Sequence, residues 1–264
     1  MTATTHVNAP RPSRASRAAF STLGVVGELL ITAGVLLLGF LVWQLWWTDV
    51  VANRAQQQIV DALPWATTAP ATPGRAPSPG ASTAGTPPVA VPRHDAPPVE
   101  AEPGLATTFA TIQVPRWNGQ PAKPVSEGTD KAAVLDKLGV GHYKGTAMPG
   151  AVGNFAIAGH RTTYGKPFNR IAELQVGDPI VIRTQHAWYV YTVTSTEIVD
   201  PGQVGVIAPV PDKPGATPTA RMITMTTCTP MYSASQRYVV HGELTYWASA
   251  DDGSVPAELI GAAS

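Results

Sequence analysis

The chain is poor in cysteine and in charge: it has one cysteine in 264 residues, only 14% charged residues and a formal net charge of zero. A lone cysteine excludes an intrachain disulfide framework and any multi-cysteine zinc or iron–sulfur site. Neutrality removes the electrostatic basis for a nucleic-acid partner. Acidic residues do not recur with calcium-loop spacing, and His142, His186 and His241 are not spaced as a ligand set, so neither metal nor cofactor is expected. Residues 64–104 contain almost no aromatic or large aliphatic side chain and cannot offset their ordering entropy with a core.

What the chain has in excess is proline, 26 residues, of which eleven fall between Pro64 and Pro103. A semi-extended chain of that composition reaches up to roughly 120 Å and reads as a tether. Before it, residues 1–22 carry Arg11, Arg14 and Arg17 with no acid and read as a disordered tail. Residues 23–48 contain the charge-free run LLITAGVLLLGFLVWQLWWT, from Leu29 to Thr48. Twenty helical residues span about 30 Å, a bilayer's hydrocarbon thickness. Trp43, Trp46 and Trp47 gather at one end, where an interfacial aromatic belt belongs. The arginines before the span put the N-terminus in the cytoplasm and the rest outside. The apolar core is too long and its exit too bulky for a cleaved signal peptide, so a single-pass anchor in the cell membrane is expected. Residues 50–63 extend the helix into the juxtamembrane part of the 49–104 segment.

From 105 to 248 the composition changes to short β-branched and aromatic runs between glycines and prolines. Strands are expected at 108–114, 154–159, 179–184, 187–196, 221–227 and 236–244. A helix is expected over 129–139, with Thr129 as its N-cap and Gly139 as its stop, and a helical turn over 167–175. This predicts an all-β domain, a closed barrel or sandwich. Residues 249–264 read as a polar tail.

Cys228 ends the run RMITMTT, just before Thr229-Pro230 where a strand must stop. Alternation puts Ile223, Met225 and Thr227 on one face and Cys228 on the other, more polar face with Thr224 and Thr226. That is a poor place to hide a thiol and a good place to present one. A free thiol titrates at about 8.5 and needs a basic or cationic neighbour to act as a nucleophile. His6 and His94 lie outside the domain, which leaves His142, His160, His186 and His241. Arg237 and His241 share a strand face but stand about 13 Å apart, so both cannot touch one thiol. Spacing alone does not choose among the four histidines.

Three segments in order, NFAIAGHRTTYGKPF (154–168), RMITMTTCTP (221–230) and SQRYVV (235–240), resemble the signature regions of sortases. In that family a histidine follows a strand in an A-G-H-R context, a cysteine ends a strand in T-L-x-T-C, and an arginine begins the next strand. The matching positions are His160, Cys228 and Arg237; Met225 stands where leucine is commoner, a volume-conserving change. GHYKGTAMPG (141–150), the TTYG after His160, GDPIVI (177–182) and TTCTP look most like class E sortases of high-GC Gram-positive bacteria.

The resemblance implies an eight-stranded β-barrel with short helices, behind one transmembrane helix and a proline-rich linker. It also implies a cysteine transpeptidase that cuts a C-terminal sorting signal (LAxTG or LPxTG type) between threonine and glycine. The acyl product passes from the Cys228 thioester to an amine, which makes secreted proteins with such a signal and a cell-wall precursor amine the expected partners. His160 is the implied acid and base, and Arg237 the implied holder of substrate backbone or oxyanion. Thr227 is a candidate for a further oxyanion contact, and Tyr143 and Tyr164 for recognition of the signal's second residue. Pro167, Phe168 and the 198–211 connection are further groove candidates. Two alternatives are a pilin-polymerising sortase, which uses a lysine side chain as acceptor, and a catalytically silent tethered peptide-binding domain.

Overall fold

The computed structural model describes residues 14–66 and 87–260. The expected N-terminal tail up to residue 13, the centre of the expected tether at 67–86 and the last four residues lie outside the described residues. The chain divides into two units, one up to Trp47 and one from Thr48 onward.

Helix α1 covers Arg14–Ala62, so the juxtamembrane residues continue the helix as their composition suggests. It is the one helix among the described residues long and apolar enough to cross a membrane by length and composition. Within the first unit, large apolar side chains on successive turns stand open, with Leu38 64% and Trp46 61% exposed. Such a surface is apolar all round, the pattern of a membrane span rather than of an amphipathic surface helix.

The second unit is built on eight strands: β1 (Thr108–Gln113), β2 (Lys123–Glu127), β3 (Val140–His142), β4 (Gly153–Gly159), β5 (Pro179–Arg183), β6 (Ala187–Val199), β7 (Arg221–Thr229) and β8 (Gln236–Ser249). They close into a barrel in the order β1-β2-β3-β4-β7-β8-β6-β5. Two neighbouring pairs, β2–β3 and β4–β7, are parallel. Six of the eight strands coincide with the β-branched and aromatic runs of the sequence. β2 and β3 escape pattern reading because they are short and hold a single β-branched residue each, Val125 in KPVSE and Val140 in VGH. β7 runs one residue past Cys228, and β8 runs on to Ser249.

Inward-facing Phe109, Ile112, Phe155, Ile157, Ile180, Ile182, Tyr189, Tyr191, Ile223 and Met225 fill the barrel. The expected helix over 129–139 is only a single wide turn, Lys131–Leu135. Its N-cap is Asp130, not Thr129: the Asp130 carboxylate accepts from Ala133 N at 2.7 Å. An aspartate one position later satisfies a first-turn amide at least as well as threonine does, and the shorter turn needs the later cap. The 167–175 turn is a three-residue 3₁₀ helix, Ile171–Glu173.

A second apolar layer covers the outside of β5, β6 and β8, where Val181, Trp188, Val190, Tyr246 and Ala248 pack with Ala90 and Val255. Ala90 N donates to Val255 O at 2.8 Å, and Arg93 and Trp247 exchange two backbone hydrogen bonds at 2.7 and 3.0 Å. Residues 87–104, expected as tether, and the tail after 249 therefore lie in part against the barrel. Composition hides this because a few apolar residues, Ala90 in one segment and Ala250 and Val255 in the other, suffice to seat them on apolar surface that the barrel supplies.

Candidate active site

Cys228 sits on β7 directly opposite Arg237 of β8 in the antiparallel register. The same register sets His241 against Thr224, four residues down the strand from the thiol. β4 lies beside β7 on the other side, pairing Ala158 with Thr226, and delivers His160 immediately beyond its end. The three elements thus present His160, Cys228 and Arg237 to one cleft of about 590 Å³. Tyr143, Arg161, Thr227 and Tyr232 also line it, as do Thr129 and, from the 131–135 turn, Lys131 and Leu135. Cys228 is a free thiol, part-exposed.

Each other described histidine is occupied elsewhere. His142 is fully buried, its Nδ1 2.6 Å from Glu127 Oε2 and its Nε2 2.9 Å from Thr146 Oγ1. His186 is exposed and pairs with Asp251. His94 meets Thr245 O at the surface. His241 joins Thr224 Oγ1 at 2.8 Å and Glu197 Oε1 at 3.0 Å. Among the described residues, Glu197, Asp212 and His241 are the group whose ligand atoms lie close enough to hold a metal. Burial and the neighbouring Glu197 raise the Asp212 carboxyl above its ordinary value. Both His241 ring nitrogens already have protein partners, and the group faces a separate cavity of about 290 Å³ lined by 209–213.

His160 is held from two sides. Its Nε2–H donates to Asp136 Oδ1 at 2.7 Å, which leaves Nδ1 as the nitrogen able to take and give a proton. The Tyr164 ring lies over it with centroids 5.0 Å apart. Asp136, at the end of the 131–135 turn, carries no signal in the sequence, because nothing in its helical context marks it as a partner of a residue so far along the chain. Arg161 is the arginine of the A-G-H-R motif, for which the sequence suggests no role of its own. Its guanidinium donates to Thr229 Oγ1 and lies 5.7 Å from the Tyr238 ring, placing a second cation on the cleft wall.

The recognition candidates divide. Tyr143 Oη meets Thr226 Oγ1 at 2.9 Å, with the ring on the cleft. Tyr164 is 36% exposed and packs its ring against His160 at a tilt rather than lining the cleft. The Thr227 hydroxyl donates to Gly159 O at 2.7 Å and stitches β7 to β4, so its proton is not available to an oxyanion. Phe168 is not a groove residue: it is fully buried in the barrel core beside Trp117. Of the 198–211 connection, Val210 and Pro211 line the separate His241 cavity. Arg237 Nη1 donates to Ala234 O at 2.9 Å and Gln236 O at 3.0 Å, which aims the guanidinium along the loop after β7.

A free thiol at a strand end, a carboxylate-held imidazole and a guanidinium in register with the thiol supply a nucleophile, a proton carrier and an anion holder. A family profile described as Sortase domain matches residues 112–245, which bracket all three. The chain belongs to the sortase family. Among its relatives is sortase SrtE1 of Streptomyces coelicolor, 38% identical over 90% of this chain. This chain spans 62% of that relative's length. The structure of SrtA sortase from Actinomyces oris matches with a TM-score of 0.61 and 45% identity, covering 64% of this chain and 96% of the other. Sortase E1 of Streptomyces coelicolor, solved with a tripeptide in the active site, matches with a TM-score of 0.53 and 40% identity over 58% of this chain and 96% of the other. The likeness to sortases of class E, drawn from the motifs around His160 and Cys228, agrees with these relatives.

Proposed function

We propose that this sortase is a membrane-anchored cysteine transpeptidase of the class E type, acting on secreted proteins that carry a C-terminal LAxTG or LPxTG signal. The observation that carries the reading is the joint placement of Cys228, His160 and Arg237 on one cleft while every other described histidine is engaged away from it. The tripeptide held by the Streptomyces sortase E1 active site supports a peptide in the equivalent cleft.

In the first half-reaction the Cys228 thiolate attacks the threonyl carbonyl. A carbon–sulfur bond forms, and charge develops on the carbonyl oxygen beside Arg237. His160, as imidazolium, gives its proton to the departing glycine nitrogen as the carbon–nitrogen bond breaks. In the second half-reaction the same imidazole takes a proton from an incoming amine of the cell-wall precursor, which opens the thioester and releases Cys228. A thioester keeps enough group-transfer potential for an amine to compete with water, so ligation rather than hydrolysis results. The apolar helix serves as a single-pass anchor in the cell membrane, with its arginine-bearing end cytoplasmic and the barrel outside.

The test is incubation of the full chain in detergent with paired LAxTG and LPxTG peptides and an amine acceptor, read by mass spectrometry. A Cys228-linked acyl adduct and an amine-ligated product are expected, both absent in Cys228→Ala. Failure to form either with any sorting peptide, together with resistance of Cys228 to alkylation, sinks the enzyme reading in favour of a silent peptide-binding domain.

A further inference from the structure

Within the barrel unit, the last part of α1 does more than lead into the domain. Asp49, Asn53, Gln56 and Val60 recur at intervals of four, three and four and so share one helix face. Gln56 has no exposed surface. Its Nε2 donates to Tyr164 O at 2.9 Å and its Oε1 accepts from Lys123 Nζ at 3.2 Å. Asn53 Oδ1 accepts from the same ammonium. Asp49 accepts from Gly165 N at 3.3 Å and pairs with Lys166 Nζ at 2.8 Å.

The Gln56 amide occupies a slot that two glycines leave open. A Cβ on Gly165 would stand 2.9 Å from it and one on Gly139 3.1 Å away. Both glycines have positive φ, +76° and +99°, so a side chain is disfavoured there twice over. These are the glycines of the two segments that hold His160. Gly139 closes the stretch that carries Asp136, the acceptor of His160 Nε2–H. Gly165 follows Tyr164, whose ring lies over the imidazole. One buried side chain of the juxtamembrane helix therefore wedges between the two supports of the proton carrier.

We propose that Gln56, on the last part of α1, is a positioning residue of the active site: it fixes the spacing of the Asp136 and Tyr164 segments and so the pose of His160. The inference rests on the role given to His160 above. It implies that a barrel cut free of this helix is a weakened catalyst even where it folds.

The test uses the full chain in detergent, with Gln56→Ala, Gln56→Met (which keeps the volume and loses both hydrogen bonds) and Asp49→Asn. Gln58→Ala, exposed on the same helix, and Val60→Ala, a packing change on the same face, are the controls. Measured are melting temperature, kcat and KM with an LAxTG peptide, and the pH profile of Cys228 alkylation by iodoacetamide. A misplaced acid–base group costs up to about 100-fold, so a fall in kcat of about tenfold with KM within twofold is expected for both Gln56 variants. Their alkylation profiles should move while that of Val60→Ala stays at the parental one, whatever its melting temperature. Parental kcat and an unmoved alkylation profile in folded Gln56→Met overturn the proposal. So does a loss that merely follows melting temperature and is matched by Val60→Ala. If Gln56→Ala does not fold, Gln56→Met and Asp49→Asn decide the matter. If the parent itself acts on no peptide, the functional reading fails on its own, and the alkylation profiles still show whether Gln56 governs the surroundings of Cys228.

Discussion

Asp136 and His160 stand 24 positions apart in the chain, and their side chains meet at 2.7 Å, with His160 on the wall of the Cys228 cleft. The carboxylate can only accept, so it selects the tautomer with hydrogen on Nε2 and turns Nδ1 toward proton transfer. Asp136→Asn removes that selection, because an amide can also present a donor to Nε2. Orienting partners of this kind typically account for about 10–100-fold in activity. A fall of that size in kcat, with KM little changed and Cys228 still alkylated, is the expected result of steady-state kinetics.

Two of the four candidate histidines, His160 and His241, separate in a mutational series. His160→Ala should lower kcat/KM by about 10²–10⁴-fold, the usual worth of a general acid–base group. His241→Ala should leave the chemistry near parental, because β-sheet register sets His241 opposite Thr224 and not opposite the thiol. Near-parental turnover in His160→Ala with loss in His241→Ala would reverse the assignment.

Much of this site is legible in the amino-acid sequence, and the reason lies in what each residue type reports. Cys228 can be read because it is alone and stands at a strand end before proline, and six strands because β-branched and aromatic runs between glycines and prolines mark them. His160 is distinguished from His142, His186 and His241 only by the family motif around it, since contact across strands is invisible to spacing. Asp136 and Gln56 escape for the same reason: each acts through a contact made by folding, from a local context that looks like ordinary helix. The seating of residues 87–104 is hidden because proline-rich chain can lie on apolar surface that other segments provide, and its own composition does not record that surface.

Tyr143 is the better placed of the two tyrosines to read the substrate, since its ring lines the cleft and its hydroxyl is tied to Thr226 at 2.9 Å. Tyr143→Phe should change the ratio of LAxTG to LPxTG turnover by a factor of a few, since one hydrogen bond contributes about 1 kcal/mol. Tyr164→Ala should instead lower kcat for both peptides alike, because it touches His160 rather than the cleft. Competition between the two peptides in one reaction measures the ratio directly; an unchanged ratio in Tyr143→Phe removes that residue from recognition.

Val255 closes the outer layer over Trp188 and Tyr246, and Trp188 Nε1 donates to Ser254 O at 3.0 Å. Val255→Asp forces a carboxylate into that layer and should destabilise the barrel by about 2–3 kcal/mol. At this chain length the melting temperature should fall by about 5–10 °C. An unshifted melting curve would mean that the C-terminal segment leaves the barrel surface in solution.

Lys123 gives the fold a distinct alkaline signature. Burial lowers its ammonium from 10.5 to about 8, with Asp49 opposing the shift. The unfolded chain then holds this proton in a window where the folded chain has released it, so stability rises with pH between about 8 and 10. Below about 8 both states are protonated and the group contributes no slope. The folded state there carries the cost of a buried ammonium, up to about 3 kcal/mol. The rise should be sought below about pH 10, before unfolded tyrosines ionise and pull in the opposite direction. Tyr189 is one of these: burial pushes its phenol up to about 12, so its contribution is lost as pH climbs past 10. Lys123→Met keeps the packing and removes the proton. Urea unfolding at a series of pH values should therefore show the parent gaining stability between 8 and 10 relative to the variant, and parallel curves would mean that Lys123 is solvated in the folded chain.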